Sequence, residues 1–295
     1  MMEEKKEGYL VDNAVIMAAG LSSRFAPLSY EYPKALVEVK GEVLIERQIR
    51  QLKEAGIHDI TIVVGYKKEL FAYLVDKCDV NIVENPEYSQ RNNHSSLYYV
   101  KEKLGNTYIC SADNYFSQNV FEKKINQSYY SAVFEAGETD EWTLQTDETG
   151  LILDAKIGGT DSWVMLGHVF FSADFSKRFV AILEEIYDLP QTASLLWESI
   201  YLEYIKELPL YIRKYSADII FEFDSLDELR EFDKSYWKDS RSEILKNIAK
   251  ELEVRESEIV GIEPDKNDGE TVGFDFIVQG QAYAYDYERE LLVEK

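Results

Sequence analysis

Apolar residues along this chain follow two spacings in turn. Residues 14–17, 60–64 and 107–110 are short, nearly continuous apolar runs, the length and content expected of strands covered on both faces. Between the first two, residues 43–55 (Val-Leu-Ile-Glu-Arg-Gln-Ile-Arg-Gln-Leu-Lys-Glu-Ala) place apolar side chains at helical spacing and stop at Gly56, which can take the left-handed conformation that closes a helix. Residues 67–76 and 95–104 read as further helices, 80–83 as extended, and Asn85-Pro86 as a turn, with Asn92-Asn93 just ahead of the second helix. Strand, helix, strand, helix predicts an α/β fold with a doubly wound, mostly parallel sheet. Binding sites in such sheets lie at the carboxyl ends of the strands. The loop after the first strand and the end of the 107–110 strand therefore fall on one edge.

Beyond Trp237 the character changes. A highly charged stretch leads into an amphipathic helix at 244–252, and residues 272–287 alternate as two strands around Gln279-Gly280-Gln281, which adds a small α+β appendage. The predicted division is 1–237 for the main domain and 238–295 for the appendage.

Composition narrows the classes. At 295 residues and 45% hydrophobic content the chain can bury a sizeable core. No apolar stretch nears the ~20 residues that span a bilayer, and the charged start 1–7 leads into a strand rather than a signal-peptide core, so a cytoplasmic protein is expected. The two cysteines, Cys78 and Cys110, are too few for a disulfide framework. A formal charge of −23 argues against nucleic acid or an anionic membrane as partner, since both would be repelled. It leaves room for a nucleotide, because a few local cations and a divalent metal reverse the potential in one pocket. A homodimer is compatible with the sequence.

The candidate chemistry gathers at the first strand. The run Met17-Ala18-Ala19-Gly20-Leu21-Ser22-Ser23-Arg24 turns out of the strand with small residues, and Pro33-Lys34 follows. Small residues let backbone N–H groups face a polyanion, and Gly20 permits an approach a Cβ would obstruct. Arg24 and Lys34 bring a planar fork and a point charge to the same loop. Ser111-Ala112-Asp113-Asn114 then puts an acid at the end of a buried strand, where a Mg²⁺ bridging substrate phosphates takes its hard oxygen ligands. A second acid, Asp224, closes the apolar run Ile219-Ile220-Phe221-Glu222-Phe223. Either acid could instead cap or turn the chain, Asp224 as N-cap of a helix at 225–232.

At these residues the chain resembles the nucleotidyltransferase superfamily, with its Rossmann-like sheet, Gly-rich loop, Arg and later Pro-Lys. It departs at Ser22, where the family often has a second glycine; a positive φ there would strain a serine. The segments Asn92-Asn93-His94-Ser95-Ser96-Leu97-Tyr98, Asn106 to Tyr115 and Glu222-Phe223-Asp224-Ser225-Leu226 narrow the resemblance to the bacterial CTP:phosphocholine cytidylyltransferases, over about residues 13–236. The resemblance implies Mg²⁺ on Asp113 and Asp224, a triphosphate wrapped by Ala18, Ala19, Gly20, Leu21, Ser22 and Ser23, and a cytosine pocket near residues 85–96, for which Asn92 and Ser96 are nominated. It implies in-line attack on the α-phosphate of CTP, with Arg24 on the leaving β,γ-phosphates and Lys34 on the transferring phosphoryl.

An acceptor-binding half is assigned to residues 127–215. Lys156 resembles a lysine by which related sugar enzymes grip the acceptor phosphate, although an exposed strand lysine reads the same. A quaternary ammonium is held by aromatic faces and a nearby carboxylate. This half supplies Tyr129, Tyr130, Trp142, Trp163, Tyr187 and Trp197, with Asp161 and Glu198 beside two of the tryptophans. The acceptor set is Lys156, Trp142, Trp163, Tyr130, Asp161 and Trp197, with Trp163 and Trp142 favoured; any single aromatic is more often core packing than cage, so the expectation rests on the cluster. Acceptors carrying a primary ammonium, 2-aminoethylphosphonate or phosphoethanolamine, remain as the nearest alternative, and a silent nucleotide-binding regulator as one of another class. The tail from Asp268 to Val278 resembles the first hairpin of bacterial choline kinase-like proteins; a plain C-terminal cap fits it as well.

Overall fold

The computed structural model describes residues 8–267 and 270–295. The charged start 1–7 and the Asp268-Gly269 pair of the kinase-like hairpin lie outside the described residues. By contacts the chain forms two compact units, one of Leu44–Glu222 with the chain up to Gly20, the other of Leu21–Val43 with Phe223–Lys295. Residues 21–43 and 223–237, assigned to the main domain from sequence, thus pack in one unit with 238–295.

The first unit is built on a mixed sheet, seven-stranded among the described residues. Strands β1 (Asn13–Ala18), β2 (Ile60–Val64), β3 (Asn81–Glu84) and β4 (Thr107–Ser111) run parallel in the order β3-β2-β1-β4. The side chains of β1 and β2 are mostly apolar because both faces are covered: all of Ile60–Val64 is buried, as are Ala14, Val15 and Ile16, while the edge strand β3 is half-exposed. Strand β7 (Ile152–Phe171) then pairs antiparallel with β4, β6 (Tyr129–Thr146) antiparallel with β7, and β8 (Tyr211–Tyr215) parallel with β6. The short β5 (Tyr115–Phe116) pairs with β9 (Ile220–Phe221). One strand among seven therefore opposes the parallel direction.

Helix α1 (Leu44–Glu54) lies where the apolar spacing predicts it, and Gly56 closes it with φ 82°. The predicted helix at 95–104 is instead α2 (His94–Tyr99) followed by a 3-10 turn at Lys101–Lys103, because Val100, with φ −118°, leaves the helical region. Likewise 67–76 is a 3-10 turn, Lys68–Phe71, and then a helix at Tyr73–Cys78. Helices α3 (Ala173–Ile186) and α4 (Trp197–Glu203) cover the β6–β7 side, where Phe171, Phe175, Phe179, Leu183, Trp197 and Tyr201 form the heart of one core.

In the second unit, α5 (Leu226–Phe232) and α6 (Glu243–Glu251) precede an antiparallel sheet of β10 (Ile259–Asn267), β11 (Glu270–Val278), β12 (Gln281–Asp286) and β13 (Leu291–Glu294). The turn between β11 and β12 puts Gln279 at φ 50° and Gly280 at φ 86°, the positive pair a two-residue hairpin requires. Arg230, fully buried, ties α5 to this sheet by donating to the carbonyls of Ile259 (2.6 Å) and Glu256 (3.0 Å).

Candidate active site

In the first unit the phosphate-loop start and the acidic turn leave adjacent parallel strands side by side. Met17 of β1 is in register with Ser111 of β4, and the Ala112 N–H donates to the Met17 carbonyl at 3.2 Å. Both elements emerge at carboxyl ends, on the edge the sequence indicates. Ala18 and Ala19 are buried, while Gly20 is exposed and a Cβ built on it would meet no heavy atom within 4 Å. The protein itself does not require glycine there, so any need for it comes from what approaches the backbone.

Asp113 sits half-buried on a tightly bound turn. Gln48, fully buried on α1, donates its two amide hydrogens to the carbonyls of Ser111 (2.8 Å) and Asn114 (2.9 Å), on either side of Asp113. With two carbonyls as partners the amide has only one admissible orientation. Arg47 donates to the Phe116 carbonyl at 2.8 Å and stacks over Tyr115 at 4.4 Å, and Asn114 donates to Glu222 at 3.3 Å. Sequence reasoning passed over Gln48; its signal was an amide at a position whose neighbours Leu44, Ile45, Ile49 and Leu52 face the core.

The second unit carries Leu21, Ser22, Ser23, Arg24, Lys34 and Asp224. Ser22 is left-handed, at φ 49° and ψ 44°, the conformation for which the family's glycine is suited; the strain costs about 1–2 kcal/mol. Asp224 Oδ2 lies 2.6 Å from Arg24 Nη1, and Oδ1 lies 3.5 Å from Lys34 Nζ. The Lys34 side chain is 4% exposed against 67% for Arg24. The capping alternative for Asp224 does not hold, because Ser225 caps α5 by accepting from the Glu228 N–H. The Asp224 carboxylate meets cations instead.

The acceptor candidates divide. Tyr130 stacks on Trp197 with centroids 5.7 Å apart, and its hydroxyl donates to Glu198 at 3.2 Å. Asn93 donates to the other Glu198 oxygen at 3.1 Å and accepts from the backbone N–H of Trp197 at 2.7 Å. Burial pushes the Glu198 carboxyl above its ordinary range. Trp197 corrects the sequence assignment: it is 1% exposed, with Tyr130, Phe171 and Phe179 packed on it, so it offers no face to a ligand. Trp163 meets Phe134 edge-on at 5.5 Å and already carries the Lys214 ammonium 4.7 Å over its ring. Trp142 and Lys156 lie on the β6–β7 hairpin, opposite Ile157 and Thr143 respectively, with Lys156 exposed. Asp161, midway along β7 at the register shift opposite Glu135–Glu138 and with φ 48°, accepts from the Gly137 N–H at 2.9 Å. Of the cytosine candidates, Asn92 is exposed and donates to the Ser194 carbonyl at 3.1 Å, whereas Ser96 is buried and accepts from Asn85 at 3.2 Å.

Among the described residues no group of three or more His, Cys, Asp or Glu is gathered to hold a metal. Mg²⁺ does not need one, since it is commonly bound through one or two carboxylates with substrate phosphates and water. The hard oxygens of Asp113 and Asp224 fit that donor type. No helix among the described residues is long and apolar enough to cross a membrane.

A mixed sheet presenting a glycine-bearing loop and an acidic turn at the carboxyl ends of neighbouring strands is the frame of a nucleotide-binding phosphoryl-transfer enzyme. The chain matches the MobA-like NTP transferase domain over residues 14–142. It is 37% identical over 234 residues to the choline-phosphate cytidylyltransferase of Streptococcus pneumoniae, covering 79% of this chain and 98% of the relative. It is 39% identical over 228 residues to the 2-aminoethylphosphonate cytidylyltransferase of Lancefieldella rimae, covering 76% and 93%. A solved structure of the CTP:phosphocholine cytidylyltransferase from Streptococcus pneumoniae matches with a TM-score of 0.74, covering 77% of this chain and 99% of that one. The chain belongs to the nucleotidyltransferases, in the branch of bacterial CTP:phosphocholine cytidylyltransferase-like enzymes.

Proposed function

We propose that the protein transfers CMP from CTP to phosphocholine, giving CDP-choline and pyrophosphate. The observation that carries this reading is the TM-score of 0.74 at 37% identity, over almost the whole of a phosphocholine enzyme. The acceptor phosphate attacks the α-phosphorus in line, so the protein has to position groups and neutralise charge rather than supply a nucleophile. Ala18 to Ser23 would turn backbone N–H groups to the triphosphate, Arg24 would hold the leaving β,γ-phosphates, and Lys34 would stabilise charge on the transferring phosphoryl. Asp113 and Asp224 would hold Mg²⁺, which supplies charge neutralisation on phosphate oxygens when bound. Asn92 and Ser96 would read cytosine. Within residues 127–215, Lys156 would grip the acceptor phosphate while Trp142, Trp163, Tyr130 and Asp161 face its cationic end. Cytoplasmic activity and a homodimer belong to the same proposal, the latter checked by light scattering.

A second reading, transfer to 2-aminoethylphosphonate, is supported by the 39% identity to an enzyme of that name. Pyrophosphate release from CTP and Mg²⁺ with each acceptor in turn separates the two. Faster turnover of phosphocholine supports the first; turnover of 2-aminoethylphosphonate at least tenfold faster replaces it with the second. CTP binding without pyrophosphate release from any acceptor overturns both. Asp113→Ala should abolish turnover with the fold intact, and an active variant would remove Asp113 from the metal site.

A further inference from the structure

Helix α6 and the β10–β13 sheet lie beyond residues 13–236, over which the sequence resembles the cytidylyltransferases, and the proposed reaction assigns them no role. Within the second unit these elements hold the segment that carries Arg24 and Lys34. Tyr30, on the one-turn helix Leu28–Glu31 between the two cations, stacks on Tyr287 just past β12, with ring centroids 3.8 Å apart and planes 5° from parallel. The next residue, Glu31, accepts the backbone N–H of Glu243 at the start of α6, at 2.7 Å. Further along, the Tyr236 hydroxyl and the Arg241 guanidinium both donate to the Glu38 carbonyl, at 2.6 and 2.8 Å, and Asp233 accepts from the Lys40 N–H at 2.7 Å. Tyr287 is itself seated in the sheet's core, 7% exposed, against Phe274 and Tyr285. Tyr30 is 42% exposed, and the stack holds one face of its ring.

We infer that Tyr287 is a positioning residue for the nucleotide loop, and that the C-terminal sheet acts as a brace setting where Arg24 and Lys34 stand. The reason is mechanical. A segment of residues 21–43 contains only short helical turns and two-residue strands, and such a segment owes its position to what it packs on rather than to its own hydrogen bonds. A phosphate-binding cation displaced by about 1 Å loses on the order of 100-fold in rate. An aromatic pair at van der Waals separation gives the segment a fixed height above the sheet. The inference rests on the proposed roles of Arg24 and Lys34.

The test uses the full chain with CTP and phosphocholine. Tyr287→Leu removes the stack from the sheet side, and Tyr30→Leu removes it from the half-exposed side where folding is little at risk. Tyr287→Phe keeps the ring. Each leucine variant should lower kcat/KM for CTP by about 10- to 100-fold, with the KM for the acceptor within threefold and amide hydrogen exchange faster across residues 23–37 but not in β1 or β2. The phenylalanine variant should stay within threefold of the parent on every count. The double leucine variant should lose no more of kcat/KM than the worse single one, since both break the same stack. Equal activity in Tyr30→Leu and the parent overturns the inference, as does a loss spread evenly over CTP and acceptor. If Arg24→Ala and Lys34→Met turn over CTP normally, the reading beneath fails instead, and that pair of controls tells the two failures apart.

Discussion

Lys34 gives the sharpest test of the chemistry, because its proposed catalytic role and its structural one can be separated. Its side chain is 4% exposed and its ammonium lies 3.5 Å from Asp224 and 5.7 Å from the centre of the Phe25 ring. At an effective dielectric of 20 the pair attracts by about 5 kcal/mol before desolvation is subtracted, and desolvating a buried ammonium removes much of that. Lys34→Met keeps the length and volume of the stem while deleting the charge. Asp224 keeps Arg24 at 2.6 Å and is 26% exposed, so the fold should lose less than about 2 kcal/mol, short of what stranding a fully buried charge costs. Deleting one preorganised charge from the transition state costs more, about 3–4 kcal/mol or 100- to 1,000-fold in kcat. Pyrophosphate release and denaturant unfolding, measured on the same preparation, should therefore separate, with kcat and kcat/KM falling together and the KM for CTP changing little. Lys34→Met/Asp224→Asn should recover the stability and none of the rate. A Lys34→Met enzyme within threefold of the parent kcat would refute the reasoning, since the buried ammonium would then have no part in the chemistry.

Three further outcomes follow from the geometry. His168 is 1% exposed with Nε2 at 2.9 Å from the Tyr129 hydroxyl, and burial pushes its pKa from 6.5 down to about 3. Its folded pKa is depressed, so the unfolded chain binds the proton first and stability falls below pH 6.5, by about 1.4 kcal/mol per unit; between pH 6.5 and 5 the parent should lose about 2 kcal/mol more than His168→Gln in denaturant unfolding, and parallel pH curves would dismiss this. Trp197→Ala should cost about 3–5 kcal/mol of stability as a core truncation, whereas Trp142→Ala, half-buried at the edge of the same core, should cost less than that and raise the acceptor KM; the reverse pattern would restore Trp197 to the acceptor site. Gln48→Met strands two buried carbonyls and should both lower the unfolding midpoint and weaken Mn²⁺ binding in the presence of CTP by about 10- to 100-fold, read by electron paramagnetic resonance; an unchanged Mn²⁺ curve would leave Gln48 with packing alone.

What could be read in the sequence was whatever one element decides by itself. The apolar runs became β1, β2 and β4 because both faces of a parallel sheet are covered, and α1 followed its apolar stripe to Gly56. Even the oddity at Ser22 was legible, since a serine in a glycine's place is a local statement about φ. Three things were not. The long hairpin of β6 and β7 is interrupted by register shifts between Glu135 and Glu138 and again between Thr139 and Trp142, which break the alternation a strand is recognised by. Strand β10 turns polar after Ile262, and β13 is a run of only three apolar residues before Glu294, too short to mark a strand by itself. The attachment of residues 21–43 to the C-terminal sheet depends on pairs such as Tyr30 with Tyr287, more than two hundred positions apart, which no window along the chain can see. Asp224 shows the same limit in miniature: the sequence offered cap or ligand with equal grammar, and the neighbouring Ser225 settled the cap.

The choice of acceptor turns on a count that composition overstates. Aromatic abundance in residues 127–215 suggests a cage for a methylated ammonium, yet Trp197 is sealed in the core and the ring of Trp163 already bears Lys214. A quaternary ammonium has only ring faces and charge to recognise it, whereas a primary ammonium can also donate hydrogen bonds. The proposed acceptor end therefore favours phosphocholine only if Lys214 yields the Trp163 face to the incoming cation. Lys214→Gln supplies the measurement: with the internal cation gone, the KM for phosphocholine should fall several-fold and that for 2-aminoethylphosphonate should change less, because the second can rely on a carboxylate where the first cannot. A phosphocholine KM that stays put or rises in Lys214→Gln would remove Trp163 from the cage and shift the weight of recognition to carboxylates such as Glu198, where a primary ammonium is the better guest.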